Sequence, residues 1–328
     1  MQINLHLLRI FFEVAQERSF SKAATKLFIS QPAVSKAVRE LERQLGLPLL
    51  ERPVKGTRGV LLSEGGEAIF DHARGIFALE RAAVEEVQSR IAEQCGRLTI
   101  GASTTIAGYW LSQFLVIIAK DAPNIQLEVR VGNTASIEHA LISCEIDAAL
   151  VEGPVRDERI QVTHWRDDPM CVVASTVCSL GTQEIINAEQ LSEQTWIMRE
   201  AGSGTRKVVE HLMNIHKIKP KRIIKIWSNE GIARAVAADL GVSLLPHCVV
   251  AELKAIGEIV TLRYPINKKL SRPLYWLKLG ARPESPLLRK LGRVLYNTNL
   301  VGPTKPAKPA PALGARLDAG VQNSRKLR

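Results

Sequence analysis

Residues 20–42 read FSKAATKLFISQPAVSKAVRELE, a helical pattern that stops at Phe28-Ile29-Ser30-Gln31-Pro32 and then restarts. Few folds accommodate such a break. Proline is tolerated only in the first turn of a helix, so Pro32 forces a new start, with Ser30 as its N-cap. Upstream, Leu5, Leu8, Phe12 and Ala15 recur at helical spacing and define a first helix. Ser21 is expected to cap a short second helix with Ala23, Ala24 and Leu27 inside. In the third, Val34, Val38, Leu41 and Leu45 share one face and Gly46 ends the run. Small Ala23 and Ala24 allow the second and third helices to cross closely and steeply.

That crossing is the geometry of a helix-turn-helix, whose second helix enters the major groove of DNA. Ser30, Gln31, Pro32, Ser35, Lys36 and Arg39 lie at its start or along its polar side. Gln31 has the donor–acceptor pair that reads adenine, Ser35 reaches a base or phosphate, and Lys36 and Arg39 suit phosphate or guanine. The alternative is a plain three-helix bundle with a solvated polar face. The following stretch, LLERPVKGTRGVLL (49–62), argues against it. It reads as a hairpin with Arg52, Lys55 and Arg58 along it, a basic wing for phosphate contact. Charge has the same distribution. The formal net charge of +11 divides into +5 over residues 1–60, +5 over residues 302–328 and only +1 over the rest. A basic excess favours acidic partners such as nucleic acid, a membrane surface or anionic metabolites, with a solvated basic surface and a passive solvated tail as the alternative readings.

The series Phe20-Ser21-x-Ala23-Ala24-x-x-Leu27-x-x-Ser30-Gln31-Pro32-Ala33-Val34-Ser35, continued by Leu41-Glu42-x-x-Leu45-Gly46-x-x-Leu49-Leu50-x-Arg52, resembles the winged helix-turn-helix of LysR-type transcriptional regulators. Leu50 stands where that family usually has Phe, and Ser63 where it usually has Thr. Residues 64–94 lack proline and repeat Phe70, Phe77, Val84 and Ile91 every seven residues, with Ala73, Glu80 and Val87 between them. This reads as a two-helix seam, or as a helix packed on its own domain. The resemblance implies the former, a linker helix that dimerises the DNA-binding domains.

After Cys95-Gly96 the pattern changes to alternating strands and helices, the sign of an α/β sheet. Strands are expected at 97–103, 125–133, 147–153 and 272–279, with a second set beginning near Pro169: MCVVAS, WIMRE, RIIKIWSN and GVSLLP. Several strands end in hydroxyl or amide clusters just before a helix: Ser103-Thr104-Thr105, Gly132-Asn133-Thr134, Gly202-Ser203-Gly204-Thr205 and Ser228-Asn229. Each alone is a helix cap. Together they describe a cleft lined with donors, at the strand ends where open α/β sheets bind ligands and at helix N-termini that favour anions. Arg199 and Arg206 flank one cluster.

The wording GASTTI, VGNT, LVEGP, REAGSGTR and SNEGIARAVAADLGVSLLP resembles the LysR-type branch of carbon-fixation and sulfite-responsive regulators. The fold implied is α/β: an N-terminal winged helix-turn-helix (1–63), a long linker helix (64–94), and a two-subdomain periplasmic-binding-protein-like effector domain (95–301). Its subdomains are about 95–166 with 267–301, and 167–266. A disordered basic tail (302–328), rich in Pro, Lys and Ala, follows. The residues expected at the effector are Ser103, Thr104, Thr105, Asn133, Thr134, Glu152, Ser203, Thr205, Ser228 and Asn229. Ala107, Trp110, Ser112, Ala201 and Gly231 depart from the branch's usual residues, and Trp110 is expected in the core.

Enzyme chemistry is not indicated. GSGTRK lacks P-loop spacing, His211 and His216 do not share a helix face, and no nucleophile elbow occurs. Asp167-Asp168 reads as a solvated pair. Five scattered cysteines form neither a metal nor a disulfide pattern and suit a reducing cytosol, and Cys171 and Cys178 are expected to be buried rather than redox-active. No signal peptide is evident, and the longest apolar run, FLVIIA at 114–119, is too short for a bilayer. The expectation is therefore a cytoplasmic regulator without metal or cofactor. Its partners would be double-stranded promoter DNA, further copies of itself as homodimer or homotetramer, RNA polymerase, and a small anionic effector (an oxyanion, carboxylate or phosphorylated metabolite). An enzyme or solute-binding module using the α/β cleft, and an architectural DNA binder without effector, are the competing readings.

Overall fold

A computed structural model describes residues 2–51, 59–91, 96–265, 270–280 and 282–297, without the side chains of 85 and 88–91. The break in the opening pattern separates α2 (Phe20–Leu27) from α3 (Gln31–Leu45), and both pack on α1 (Leu5–Glu17). Ser19, not Ser21, caps α2. Ser19 has extended backbone and its side chain accepts from Lys22 N, whereas Ser21 already lies within the first turn. Phe28 closes α2 in the left-handed conformation, its N–H reaching back to the Ala24 and Thr25 carbonyls. Gly46, at φ 72°, ends α3. Leu8, Phe11, Val14, Ala23, Val34, Val38 and Leu41 form one buried core.

Glu42 fastens the next segment: its Oε1 accepts from Leu49 N at 2.8 Å and Leu50 N at 3.3 Å. The hairpin's base is present as an antiparallel bridge between Leu50 and Leu62. The wing residues Arg52, Lys55 and Arg58 lie outside the described residues, as does the tail 302–328. Ser63 caps α4 (Glu64–Ile91), accepting from Gly66 N at 3.0 Å. Phe70 stacks on Phe12 of α1 and Phe77 packs tilted against it, with ring centroids at 5.2 and 5.3 Å, and Glu80 pairs with Arg9. The first half of the heptad face is therefore taken up within the chain, while Leu79, Val84 and Val87 are exposed.

Beyond α4 the order is β1 (Gly96–Ser103), α5 (Thr104–Tyr109), α6 (Ser112–Asp121), β2 (Ile125–Gly132), α7 (Thr134–Ile142), β3 (Ala148–Glu152), β4 (Ile160–Ser175), α8 (Ala188–Ser192), β5 (Thr195–Met198), α9 (Gly204–His216), β6 (Arg222–Lys225), α10 (Asn229–Ala237), β7 (Ser243–Pro246), α11 (His247–Ala255), β8 (Ile259–Thr261), β9 (Ser271–Leu279) and α12 (Pro286–Asn297). Three features differ from the sequence reading. The helix after β1 breaks at Trp110-Leu111. β4 begins at Ile160, ten residues before the apolar run that advertises it, because its first half alternates polar and apolar against β9 alone. α8, α11 and β8 are additional.

The strands run β2-β1-β3-β9-β4-β7, with β8 also on β4; β5 and β6 form a parallel pair tied to β7 by the Trp196–Val242 bridge. β4 belongs to both halves of the domain: residues 160–169 pair with β9, and 170–175 with β7 and β8. Two lobes result. The first packs α6 and α12 around Leu98, Ile100, Trp110, Phe114 and Trp276, so Trp110 is core as expected. The second has one core around Trp196 and Leu244 and another around Val173 and Leu245. Among the described residues no helix is long and apolar enough to cross a membrane.

Candidate nucleic-acid interface and ligand cleft

The recognition face of α3 is built from its buried face outward. With Val34, Val38 and Leu41 in the core, helical geometry turns Gln31, Pro32, Lys36 and Arg39 to solvent and leaves Ser35 half-buried. Ser30 caps α3 by backbone geometry alone, so its hydroxyl makes no cap hydrogen bond. Gln31 Nε2 donates to Ser35 Oγ at 3.2 Å and Arg39 Nε to the Ser35 carbonyl at 3.2 Å. These contacts hold the polar side chains along one ridge before any partner arrives.

The cleft lies where strand ends of both lobes meet helix N-termini. Ser103, Asn133, Ser203 and Ser228 all serve as N-caps, accepting from Ile106, Ser136, Arg206 and Gly231 N. Among the remaining expected residues, Thr104, Thr105, Glu152, Thr205 and Asn229 make hydrogen bonds between the lobes, and Thr134 braces the first lobe. Asn229 Nδ2 donates to Thr105 Oγ1 at 2.7 Å and to Thr205 Oγ1 at 3.3 Å. Thr134 Oγ1 donates to the Glu152 carbonyl at 2.7 Å. Ala135 N reaches the Gly202 carbonyl at 3.2 Å. A Cβ on Gly204, the first residue of α9, would overlap the Glu152 carbonyl, so glycine is what lets α9 abut β3. All ten expected residues are thus gathered here. Thr104, Asn133 and Ser228 are half-buried and the other seven are buried.

Charged groups complete the cleft: Arg199, which the sequence sets beside one cluster, and Asp168, Glu200 and Arg272, which the sequence reading did not place here. Asp168 is no solvated partner of Asp167: it is buried, and the antiparallel register sets it opposite Arg272. Arg272, fully buried, donates from Nε and Nη2 to Asp168 Oδ2 at 2.9 and 2.8 Å, and from Nη1 to Thr205 Oγ1 at 2.7 Å and Glu152 Oε1 at 3.1 Å. Arg199 grips Glu200 through Nε and Nη2 at 2.8 and 3.0 Å and extends Nη1 to Thr104 Oγ1 at 3.2 Å, while Asn133 Nδ2 reaches Glu200 Oε1 at 3.2 Å. Burial opposes ionisation of the Glu200 carboxyl, but these donors prevail and hold it below the usual carboxylate range. For Asp168 burial dominates and pushes the carboxyl up despite Arg272. Arg272 is desolvated as well, yet Glu152 and Asp168 together keep it firmly protonated. Pairs separated by 104 and 95 positions leave no local signal; of the two arginines only Arg199 was marked in the sequence, by its place beside the Gly202–Thr205 cluster.

Comparison with known proteins places this architecture. The chain matches the family models "Bacterial regulatory helix-turn-helix protein, lysR family" over residues 5–67 and "LysR substrate binding domain" over 92–298. It is 31% identical to the HTH-type transcriptional regulator CysL of Bacillus subtilis over 81% of this chain and 89% of that protein. Identity to the RuBisCO operon transcriptional regulator of Allochromatium vinosum is 32%, over 80% and 85%. Full-length OxyR from Pseudomonas aeruginosa shares the fold, with a TM-score of 0.71 at 24% identity over 94% of this chain and all of that one. The Synechocystis CcmR regulatory domain in complex with 2-PG superposes with a TM-score of 0.57 at 26% identity, covering 63% of this chain and 99% of that domain. The chain belongs to the LysR family of transcriptional regulators, with carbon-fixation and CysL-type regulators among its relatives.

Proposed function

We propose that this regulator binds a partly palindromic promoter site through paired α3 helices and adjusts promoter activity when a small anionic metabolite occupies the cleft between its lobes. The observation that carries the reading is the set of hydrogen bonds joining the lobes across the N-termini of α7, α9 and α10, where an anion is favoured. The bound 2-PG of the similar CcmR domain supports the class of an acidic, small effector. Residues 1–63 form the DNA-binding unit, 64–94 the dimerising linker and 95–301 the sensor. The protein works in the cytoplasm as a homodimer or homotetramer, with RNA polymerase as a further partner. Ser30, Gln31, Pro32, Ser35, Lys36 and Arg39, with the wing's Arg52, Lys55 and Arg58, contact DNA. The ten cleft residues hold or frame the effector.

Control requires that the effector bind one arrangement of the assembly more tightly than another. Two measurements test the two halves. Gln31→Ala should weaken the specific complex by about 1–3 kcal/mol and relax one base position, while Lys36→Ala should weaken all sequences alike and lower the salt slope by about 1. Unchanged affinity in both would remove α3 from DNA reading. Thermal unfolding against sulfite, sulfate, phosphate, sugar phosphates and carboxylates at matched ionic strength tests the cleft. At about 100 times its dissociation constant a ligand stabilises by about 2.7 kcal/mol. Thr104→Ala with Thr205→Ala should abolish the gain; a gain that survives puts the ligand elsewhere.

A further inference from the structure

The buried charged side chains among the described residues are Glu152, Asp168, Arg199, Glu200 and Arg272, and all five belong to the hydrogen-bond networks around Thr104 and Thr205. Three carboxylates thus meet two guanidinium groups, a formal excess of one negative charge where an anion is to be bound. The excess has an address. Asp168 Oδ2 takes two hydrogen bonds from Arg272, and both Glu200 oxygens are held by Arg199. Glu152 accepts from Arg272 through Oε1 alone; its Oε2 is buried with no hydrogen-bond partner among the described residues. The same is true of Asn229 Oδ1, whose amide nitrogen is committed to Thr105 and Thr205. Both side chains meet at Thr205 Oγ1, which lies 3.5 Å from Glu152 Oε1 and 3.3 Å from Asn229 Nδ2. Two side chains that share Thr205 as a neighbour therefore each carry a buried acceptor with no donor among the described residues, one of them a carboxylate. A buried acceptor left in that state costs stability and calls for a partner, such as a water, an ion or a ligand.

We propose that the effector is an acid that also carries a hydrogen-bond donor, a hydroxyl or ammonium group, and that this donor is received by Glu152 Oε2 and Asn229 Oδ1. The inference rests on the sensing role proposed above and narrows its ligand: the acidic group lies toward the helix N-termini, Thr104 and Arg199, the donor toward Glu152. Glu152 then acts as a selector. A donor-free anion of the same charge leaves Oε2 unanswered and adds its own negative charge beside it, so it is rejected by repulsion as well as by a lost hydrogen bond.

The test melts the full-length protein with probes paired by charge: D-glycerate against propionate, 3-phosphoglycerate against phosphoglycolate, with L-serine as the ammonium-bearing acid. At least one donor-bearing probe should raise the midpoint with a half-saturating concentration at least about tenfold below its counterpart's, the worth of one good hydrogen bond. L-serine without glycerate or phosphoglycerate would identify the donor as ammonium, and the reverse as hydroxyl. Glu152→Gln removes the excess charge; it should itself melt roughly 2–4 °C above wild type and lose the preference. Asn229→Ala, which removes the second acceptor, gives a parallel reading should Glu152→Gln not melt cooperatively. Equal saturation within both pairs, or a preference that survives in the variants, overturns the donor inference and leaves sensing intact. A wild-type melt unmoved by every probe here and in the wider anion panel sinks the sensing reading, and this inference with it.

Discussion

Single residues divide into those whose role is written locally and those whose role depends on a distant partner. Gly46 ends α3 because only its left-handed backbone fits there, and Ala23 and Ala24 are small because a helix crosses them. Such facts are legible in the chain. Asp168 is not, since its meaning is set by Arg272 on another strand, 104 positions away. Arg272→Met should cost about 3–5 kcal/mol in denaturant unfolding, because Asp168 and Glu152 would remain buried without their countercharge. A loss below about 1 kcal/mol would show that the cluster is hydrated rather than desolvated. The cysteines are a simpler case. Burial pushes the Cys171 thiol up to about 11 and that of Cys248 up to about 12, so neither is a thiolate near neutrality. A thiol reagent should label them in the native protein only at the rate of unfolding. Rapid modification of either at pH 7 would contradict the burial shown here.

Elements are read best where periodicity is strong and worst where one element serves two neighbours. α3, α9 and α10 carry clear caps and apolar faces. β4 is half hidden because its first ten residues lean on β9 with one face to solvent, so their hydrophobicity alternates rather than runs. The two ends of the α4 heptad face serve different purposes for a related reason. Phe70 and Phe77 answer Phe12, while Val84 and Val87, farther along the same face, are exposed and are the surface the proposed dimer would use. The α9–β3 junction shows how one residue can set the distance between elements. Gly204→Ala places a Cβ against the Glu152 carbonyl, and neither backbone can yield without moving a lobe. The substitution should lower stability by about 1–3 kcal/mol and weaken effector binding at the same time, read by thermal melts with and without ligand. A variant that melts like wild type and binds normally would mean the lobes meet more loosely than they do here.

At the scale of the molecule, the proposed effector control requires that a change in the cleft reach α4 and, through it, the recognition helices. The first lobe supplies a route. Arg97 pairs with Glu128, Glu128 with Arg130, Arg130 with Glu145, and Glu145 with Arg74 of α4 at 3.7 Å; Glu86 of α4 faces Arg289 of α12 at 3.4 Å. These pairs are partly exposed, so each is worth only about 0.2–1 kcal/mol and weakens with salt. Such energies are too small to hold the fold, but they are a useful fraction of the 1–3 kcal/mol by which allosteric sites typically couple. Tested by a double-mutant cycle, Arg74→Ala and Glu145→Ala should each leave DNA affinity without effector nearly unchanged. Each should also cut the effector-induced change in DNA affinity by up to about fivefold, and the double variant should lose no more than the larger single loss. Fully additive losses would mean that the two residues act separately and that the signal from the lobes reaches the DNA-binding helices by another contact.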